Sequence, residues 1–335
     1  MKAKGAKILI DCLINEGVDT VFGYPGGCVL DIFDELYKAS ASIRQILTCH
    51  EQGASHAADG YARVTGRVGV VIATSGPGAT NLVTGIANAY MDSIPLVAIT
   101  GNVAISGLGR DSFQEIDITG VTMPITKHNY IVKDISELSR TVSEAFRIAR
   151  SGRPGPVLID IPKNIQQQEA EYELFPVKPV THKPPDGAAA AEIAELINKA
   201  ERPLVYMGGG VILSGAEKEF KRFAETIGAP VASSMMGLGG FPGSHPLFIG
   251  MIGMHGEAAA AAATQECDVL IAIGARFSDR VAGDRTKFAP QAHIIHIDVD
   301  NAELNKNVKA FLTLVSDAKG ALTALTERLK KTAHP

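Results

Sequence analysis

Cysteine is scarce in this sequence of 335 residues. The only cysteines are Cys12, Cys28, Cys49 and Cys267. No two of them form a Cys-x-x-Cys pair, and they are too few for a disulfide framework. We therefore expect all of them to be reduced thiols without a catalytic or metal-binding role.

Long hydrophobic runs are also missing. The longest uninterrupted apolar stretches, such as residues 68–73, are far shorter than the roughly 20 residues that a membrane-spanning helix needs. The positively charged start of the chain is followed by Asp11, Asn15 and Glu16, which interrupt any apolar region of a secretory signal. We therefore expect a cytoplasmic protein with no membrane partner.

The sequence has no large excess of charge of either sign. Lys and Arg number 32 against 36 Asp and Glu, which gives a formal net charge of −4. Such a balance provides no positive field that would attract the backbone of a nucleic acid. The composition therefore predicts no nucleic acid partner.

The sequence is rich in material for buried cores. Hydrophobic residues make up 46% of it, and its length suggests two domains at roughly 100–200 residues each. Short β-branched runs alternate with amphipathic helical segments, which is typical of parallel sheets covered by helices on both faces. We expect an α/β protein with two doubly wound parallel-sheet domains. The first half has predicted strands at 20–23, 43–49, 68–74, 96–100, 129–132 and 157–161, and predicted helices at 29–38, 52–65, 79–91 and 136–150.

A change of composition separates the two predicted domains. Residues 166–187 contain a Gln run, alternating acids and four prolines, and they read as an extended linker. The predicted domains are therefore residues 1–165 and residues 188–335. The second domain has predicted helices at 188–199 and 318–331, and predicted strands at 203–207, 230–232, 269–273, 293–297 and 312–315.

Three loops of the first domain stand where ligands of open parallel sheets bind, beyond the carboxyl ends of strands. Residues 23–28 and 75–81 are glycine-rich turns before helices, which fits either a close approach to a ligand or an ordinary tight turn. Residues 49–54 place Glu51 at a helix start. Its carboxylate has either a functional role or the structural role of stabilising the helix N-terminus.

In six ordered segments the sequence resembles the thiamine diphosphate-dependent decarboxylases and carboligases. The segments are VFGYPGG, CHEQGASHAADGYAR, TSGPGATN, DSFQE, SGRPGPVLIDIPK and GARFSDR. Among these enzymes the sequence is most similar to the acetolactate synthase (acetohydroxyacid synthase) large subunits, from near Gly5 to at least Val315. The resemblance implies that the first domain binds the cofactor pyrimidine and that the second is a Rossmann-like central domain of the FAD-binding type.

The resemblance assigns roles to residues of the first domain. Glu51 matches the glutamate that bonds a ring nitrogen of the aminopyrimidine and favours its imino tautomer, which takes the proton from the reactive thiazolium carbon. Phe113 and Gln114 match residues that wall the substrate pocket, and Lys163 matches a lysine at its entrance. The residues matching pyrimidine contacts are Tyr24, Pro25, Gly26, Gly27, Pro77 and Asn81.

In the second domain, Gly208, Gly209 and Gly210 follow a predicted strand but lack the Gly-x-Gly-x-x-Gly spacing, so the motif alone is ambiguous. The resemblance implies that this domain binds FAD. The other residues that it places on the FAD path are Arg153, Arg276, Arg280 and Asp298. Arginines suit a diphosphate, although each of them could equally form a surface ion pair.

The resemblance also implies a third domain, in which a Gly-Asp-Gly segment and a downstream Asn hold Mg²⁺ and the cofactor diphosphate. No Gly-Asp-Gly occurs in this sequence. We therefore expect only the first two domains here, no metal ligands among these residues, and an isolated chain that is inactive.

The implied activity is decarboxylation of pyruvate and condensation of the two-carbon unit with a second 2-keto acid, pyruvate or 2-ketobutyrate, in branched-chain amino acid biosynthesis. The implied assembly is a homodimer or homotetramer, with a small regulatory subunit as a further partner. Two alternatives stay open. One is a related carboligase or decarboxylase acting on glyoxylate, sulfoacetaldehyde or oxalyl-CoA, and the other is a non-catalytic flavin-binding or assembly module.

Overall fold

The computed structural model describes residues 1–330, which form two compact units. Unit 1 comprises Met1–Thr181, and unit 2 begins at His182. Each unit is built around one six-stranded sheet.

Unit 1 alternates strands and helices along most of its length. Its strands are β1 (Lys2–Lys4), β2 (Thr20–Gly23), β3 (Arg44–Leu47), β4 (Gly69–Ala73), β5 (Leu96–Asn102), β6 (His128–Ile131), β7 (Pro156–Pro162) and β8 (Glu169–Glu171). Its helices are α1 (Gly5–Asn15), α2 (Leu30–Lys38), α3 (Glu51–Thr65), α4 (Pro77–Asn81), α5 (Val83–Asp92), α6 (Ile118–Thr122), α7 (Leu138–Arg150) and α8 (Lys163–Gln167). Short 3₁₀ turns occur at Ile105–Gly107, Met123–Ile125 and Ile135–Glu137.

The main sheet of unit 1 is entirely parallel, in the order β3-β2-β4-β5-β7-β6. Successive side chains of its central strands alternate between two cores because the side-chain period of a strand is two residues. Helices α1, α2 and α7 cover one face, and α3 and α5 cover the other. The first face buries Val70, Ile72, Val97, Ile99, Val157 and Ile159, and the second buries Val71, Ala73, Leu96, Ala98 and Leu158.

The strand order of this sheet reverses between β2 and β4. The chain places β3 on one side of β2 and then returns to place β4 on the other side. The loops that follow β2 and β4 therefore turn in opposite directions and leave a crevice at the carboxyl edge of the sheet, which is where ligands of such folds bind.

Unit 2 repeats this architecture with its own elements. Its strands are β9 (Pro203–Met207), β10 (Val231–Ser233), β11 (Phe248–Met251), β12 (Val269–Ile273), β13 (His293–Asp298) and β14 (Leu312–Val315). Its helices are α9 (Gly187–Lys199), α10 (Gly209–Leu213), α11 (Glu217–Ile227), α12 (Ala258–Glu266), α13 (Asp279–Ala282) and α14 (Ala318–Thr326), with a 3₁₀ turn at Met235–Gly237.

The sheet of unit 2 is also parallel throughout, in the order β11-β10-β9-β12-β13-β14. Its strand order reverses between β9 and β12, so the loops after these strands border a second crevice. Two separate cores line the two faces of the sheet. The predicted α/β class with two doubly wound parallel-sheet domains is confirmed.

Several helices and one strand of the structure were not predicted from the sequence. Helix α11 carries a helical signal, since Phe220, Phe223, Ala224 and Ile227 are all buried at the spacing of one helix face. Helix α12 has almost no apolar periodicity because six of its nine residues are alanine. The edge strand β11 is short and half-buried. Helix α1, which packs its Ile and Leu side chains into the core of unit 1, was also not predicted.

The predicted linker of residues 166–187 begins with packed structure. Residue Gln166 belongs to α8, and β8 pairs antiparallel with β1 at the start of the chain, with Lys2 opposite Glu171. Residues 172–186 contain no helix or strand. A pairing between segments about 170 residues apart leaves no local pattern, so sequence reasoning could not place it. The predicted final helix extends to Lys331, which lies outside the described residues.

The cysteines differ in their surroundings. All four are free, and Cys12 and Cys267 are buried while Cys49 is exposed. Burial raises the pKa of Cys12 and of Cys267 to about 11. Within residues 1–330, no helix is both long and apolar enough to cross a membrane.

One buried carboxyl group links the central strands of unit 1. Asp160 on β7 accepts hydrogen bonds of 2.6 Å from Thr100 Oγ1 and from Asn102 Nδ2, both on β5. Its side chain is fully enclosed, and the burial raises its pKa from 3.8 to about 6. Between pH 3.8 and about 6, Asp160 is protonated in the native state but ionised in the unfolded state. The free energy of unfolding therefore falls as the pH rises through this range.

We predict that the natural protein loses stability relative to Asp160→Asn as the pH rises from about 5 to about 6.5, and that the difference is constant above this range. The Asn side chain does not titrate, so the variant lacks the stabilisation that the natural carboxyl loses as the pH rises through its folded-state pKa. Urea unfolding at several pH values measures the difference.

Asp134→Asn is the matched control for this prediction. Asp134 is exposed, and hydrogen bonds from Ser136 lower its pKa, so it stays ionised in both states over the same range. Its difference from the natural protein should be constant with pH. A constant difference for Asp160→Asn as well would contradict the assigned protonation.

Candidate functional site

The two loops that border the crevice of unit 1 pack directly against each other. The amide of Cys28 donates to Thr74 Oγ1 at 3.2 Å. A Cβ atom on Gly26 would lie 2.5 Å from Thr74 Cγ2, so only glycine allows this approach. The loop of residues 24–27, predicted as a pyrimidine contact, is thereby held at the crevice.

Glu51 lies at the first turn of α3, which follows β3. His50 caps this helix, and its Nδ1 accepts from the amide of Gln52 at 3.1 Å. Glu51 therefore belongs to the first turn of a capped helix. Only 8% of Glu51 is exposed, so its carboxylate is a buried acidic group beside the crevice.

The loop after β4 brings two other predicted residues to Glu51. Asn81 Nδ2 donates to Glu51 Oε2 at 2.9 Å. A Cβ atom on Gly78 would stand 3.2 Å from Glu51 Oε1 and 2.7 Å from Thr74 Cγ2. Pro77 is exposed at the start of α4. The structure therefore joins Glu51, Pro77 and Asn81 into one cluster, as the sequence order alone could not show.

The backbone of Gln114 packs against Gly76, in the loop that leads to Pro77 and Asn81. A Cβ atom on Gly76 would lie 2.6 Å from the Gln114 carbonyl oxygen, and Gly76 has a positive φ of 56°. Gln114 itself has a φ of 58°, a conformation that is uncommon for non-glycine residues. Phe113 beside it is 86% exposed, so a large aromatic ring stands in solvent next to the crevice.

Lys163 contacts the loop that follows β2. It begins α8 directly after β7, and its Nζ donates to the Gly27 carbonyl at 3.1 Å. The predicted entrance lysine and the predicted pyrimidine loop are therefore neighbours in the fold.

Arg153 lies away from these residues. It precedes β7, and its Nε donates to Ser93 Oγ at 2.7 Å just before β5. Both positions are at the amino edge of the sheet, opposite the crevice. The structure therefore does not join Arg153 to the Glu51 cluster within unit 1, and the other predicted FAD residues belong to unit 2.

The triple glycine lies at the crevice of unit 2, between β9 and β12. A Cβ atom on Gly208 would lie 1.9 Å from the Gly274 carbonyl oxygen, and the amide of Gly210 donates to that oxygen at 3.0 Å. A Cβ on Gly209 would lie 3.0 Å from Met236 Cβ. Packing between the loops explains why glycine stands at Gly208 and Gly210.

Arg276 and Arg280 follow β12 on the other side of the same crevice. Tyr206 donates to the Arg276 carbonyl at 3.4 Å, and the Arg276 side chain is partly buried. Arg280 is exposed, and its Nη1 lies 3.2 Å from Met254 Sδ. Asp298, at the end of β13, is buried and accepts from the amide of Asp300 at 2.9 Å.

Some residues at these crevices were missed by sequence reasoning. Thr74 was placed in a strand and in the matched segment TSGPGATN but given no role, and Gln166 was placed only in the linker, although both bond to Cys28. His296 on β13 was also missed. It is buried, its Nε2 lies 2.9 Å from the Ala275 carbonyl, and burial lowers its pKa so that it is neutral. A polar residue between isoleucines in the middle of a strand was the available signal for His296.

The cluster around Glu51 has the chemistry to exchange a proton with a heterocyclic ligand. A buried carboxylate oriented by an amide can bond a ring nitrogen and hold or release its proton. Among residues 1–330, no group of three or more His, Cys, Asp or Glu side chains lies where it could hold a metal ion.

Comparison with known proteins identifies families that this chain resembles in both units. Residues 3–121 match the family model of the thiamine pyrophosphate enzyme N-terminal TPP binding domain. Residues 190–325 match the model of the thiamine pyrophosphate enzyme central domain.

Individual relatives cover nearly the whole chain. A protein named "Probable acetolactate synthase large subunit" from Methanocaldococcus jannaschii is 52% identical over 97% of this chain and 56% of its own length. The acetolactate synthase of Arthrospira platensis is 51% identical over 98% of this chain and 58% of its own length. The acetolactate synthase large subunit of Corynebacterium glutamicum is 50% identical over 97% of this chain and 53% of its own length. The chain thus spans a little over half the length of these relatives.

We predict that Gly78→Ala destabilises unit 1 by about 1–3 kcal/mol, because the added methyl group overlaps Thr74 and crowds the Glu51 carboxylate. Gly60→Ala is the matched control, since a Cβ at Gly60 in the middle of α3 meets no atom within 4 Å. That control should stabilise the helix by about 0.5–1 kcal/mol. Urea unfolding measures both, and equal effects would contradict the packing described here.

Proposed function

The chain belongs to the acetolactate synthase large-subunit family of thiamine pyrophosphate enzymes, and from this membership we propose its function. It provides the pyrimidine-binding and central domains of an enzyme that decarboxylates pyruvate. The same enzyme joins the two-carbon unit to a second 2-keto acid, pyruvate or 2-ketobutyrate, in branched-chain amino acid biosynthesis.

One observation carries this proposal. Glu51, Asn81 and the glycine turn after β4 meet at the crevice of unit 1, with the Glu51 carboxylate buried and oriented by Asn81 at 2.9 Å. Two sequence segments that match the family motif, CHEQGASHAADGYAR and TSGPGATN, therefore converge on one acidic group. A carboxylate with this burial fits a ligand ring that offers a nitrogen to it.

Thiamine diphosphate, when bound, supplies the nucleophilic carbon and the electron sink for decarboxylation of a 2-keto acid. The Glu51 carboxylate bonds a nitrogen of the cofactor pyrimidine and holds a proton there. Asn81 keeps that carboxylate in one orientation through its amide. The exposed Pro77 and the loop of Tyr24, Pro25, Gly26 and Gly27 flank the pyrimidine, and the glycine at Gly26 allows this loop to pack on Thr74.

The substrate side of the proposed site is formed by Phe113, Gln114 and Lys163. Phe113 offers an exposed ring that excludes water from an apolar wall, and the Gln114 backbone rests on Gly76. The Lys163 ammonium, next to the Gly27 carbonyl, attracts the carboxylate of an entering 2-keto acid.

We assign FAD to the crevice of unit 2. Arg276 and Arg280 lie at its border, and guanidinium groups there are suited to a diphosphate. Asp298 at the end of β13 is placed to accept from ribose or adenine. Gly208, Gly209 and Gly210 follow β9 at this crevice and allow the loops around it to pack closely. The FAD role of Arg153, a residue of unit 1, stays a prediction from the resemblance. The overall condensation involves no net redox change, so FAD is structural in this proposal.

The cofactor diphosphate and its Mg²⁺ are proposed to be held outside the two domains matched here. In this proposal the 335 residues by themselves are inactive with pyruvate, and catalysis involves a homodimer or homotetramer. A small regulatory subunit is a further proposed partner.

We predict that Glu51→Gln lowers acetolactate formation by about 100-fold or more, because the amide cannot exchange the proton that the carboxylate holds. The measurement uses the chain extended by a diphosphate-binding domain of the family, with pyruvate, Mg²⁺ and thiamine diphosphate. Glu171→Gln on the exposed edge strand β8 is the matched control and should keep full activity. Unimpaired turnover in Glu51→Gln would refute the role of this residue.

We predict that Arg276→Gln weakens FAD binding to the 335-residue chain about tenfold, because one charge-assisted hydrogen bond to the diphosphate is lost. Quenching of flavin fluorescence on titration measures the affinity. The control Arg222→Gln removes the same charge from an exposed position of α11 and should leave binding unchanged. If both variants bind FAD as tightly as the natural chain, Arg276 does not contact the diphosphate.

A further inference from the structure

The loop that flanks the proposed pyrimidine site is held by several partners. The amide of Cys28 donates to Thr74 Oγ1 at 3.2 Å, and the Gly27 carbonyl accepts from Lys163. A Cβ on Gly101 would lie 2.2 Å from the Cys28 carbonyl oxygen, so the loop also rests on β5. Ser75 Oγ donates to Cys28 Sγ at 3.2 Å. A further partner is Gln166, which lies outside every matched segment, in the predicted linker.

Gln166 connects the loop to the end of β7. Its side-chain Nε2 donates to the Cys28 carbonyl at 2.7 Å and to the Ile161 carbonyl at 2.8 Å. The residue is only 1% exposed, so water does not replace either bond. Both carbonyls are acceptors, and the amide must therefore direct its NH₂ group toward them.

The burial of this amide is energetically demanding. Gln166 Oε1 is buried without a hydrogen-bond partner among the described residues, and an unsatisfied buried polar atom destabilises the folded state. A less polar side chain would remove this penalty, but it would also release the Cys28 carbonyl. The presence of an amide here is therefore explained by its hydrogen bond to the Cys28 carbonyl of the loop.

We propose that Gln166 is a positioning residue that fixes the loop of residues 24–28 against β7, and so fixes the wall of the cofactor pyrimidine site. The consequence for the cofactor rests on the proposed function, whereas the effect on the loop does not. Gln166 itself touches no reacting group. It acts through the Cys28 carbonyl, which lies one residue beyond the glycines of the loop.

The cysteines of unit 1 provide a test in the 335-residue chain as it is. Cys28 is half-buried within the loop, Cys12 is buried in the core, and Cys49 is exposed. We expect Gln166→Met, which keeps the length of the side chain but not its donors, to raise the alkylation rate of Cys28 by N-ethylmaleimide about tenfold. That change corresponds to about 1.4 kcal/mol of easier loop opening. Mass spectrometry of the labelled peptides reads each site separately.

The other thiols separate a local effect from a global one. Cys12 should keep its slow rate and Cys49 its fast rate in Gln166→Met. Gln167→Met is the matched control, because Gln167 is exposed and its side chain bonds Asp31 on α2, and it should leave the alkylation rate of Cys28 unchanged. An unchanged Cys28 rate in Gln166→Met, or equal rises at Cys28 and Cys12, would overturn the proposal.

The cofactor consequence is tested in the chain extended by a diphosphate-binding domain of the family. Gln166→Met should raise the KM for thiamine diphosphate about tenfold while kcat at saturating cofactor changes little, since a mobile wall weakens binding without removing a reacting group. A lower kcat with an unchanged KM would contradict the positioning role. If the extended chain with Gln166 in place makes no acetolactate, the proposed function fails, and the alkylation result stands independently of it.

Discussion

Adjacent parallel strands whose following loops turn in opposite directions leave a crevice at the carboxyl edge of their sheet, and each unit contains one such pair. In unit 1 the pair is β2 and β4, and in unit 2 it is β9 and β12. The residues proposed for both cofactors depend on this arrangement, because it joins loops that are far apart in the sequence. Glycine then sets how close the loops come, as at Gly26 against Thr74 and at Gly208 against Gly274.

The close packing of these loops also determines the surroundings of the Glu51 carboxylate. Its carboxylate is buried, which disfavours a charge unless polar groups surround it. The start of α3 and the amide of Asn81 supply such groups. The acidic group is therefore held in one place at the crevice by local helix structure on one side and by a tertiary hydrogen bond on the other. A mobile surface glutamate would lack this orientation.

The glycines at the crevice of unit 2 have a structural explanation that does not involve a ligand. In unit 2, the loop of Gly274 occupies the space that side chains at Gly208 and Gly210 would need. Those glycines are accounted for by packing, so they do not by themselves indicate a dinucleotide. The arginines at the border of the crevice are better evidence for the class of ligand, because loop packing alone does not require a guanidinium group there. This is why the FAD proposal is tested at Arg276 rather than at the glycines.

The sequence by itself determined the fold class, every strand of the two six-stranded sheets except β11, and the candidate residues Glu51, Asn81 and Lys163, because these follow from local hydrophobic patterns and from matched motifs. It did not reveal the pairing of β1 with β8, the bonds of Gln166 to Cys28 and Ile161, or the separation of Arg153 from the cluster at Glu51. Only the tertiary structure decided these points. Each of them joins or separates segments distant along the chain, and a local pattern carries no information about such a contact.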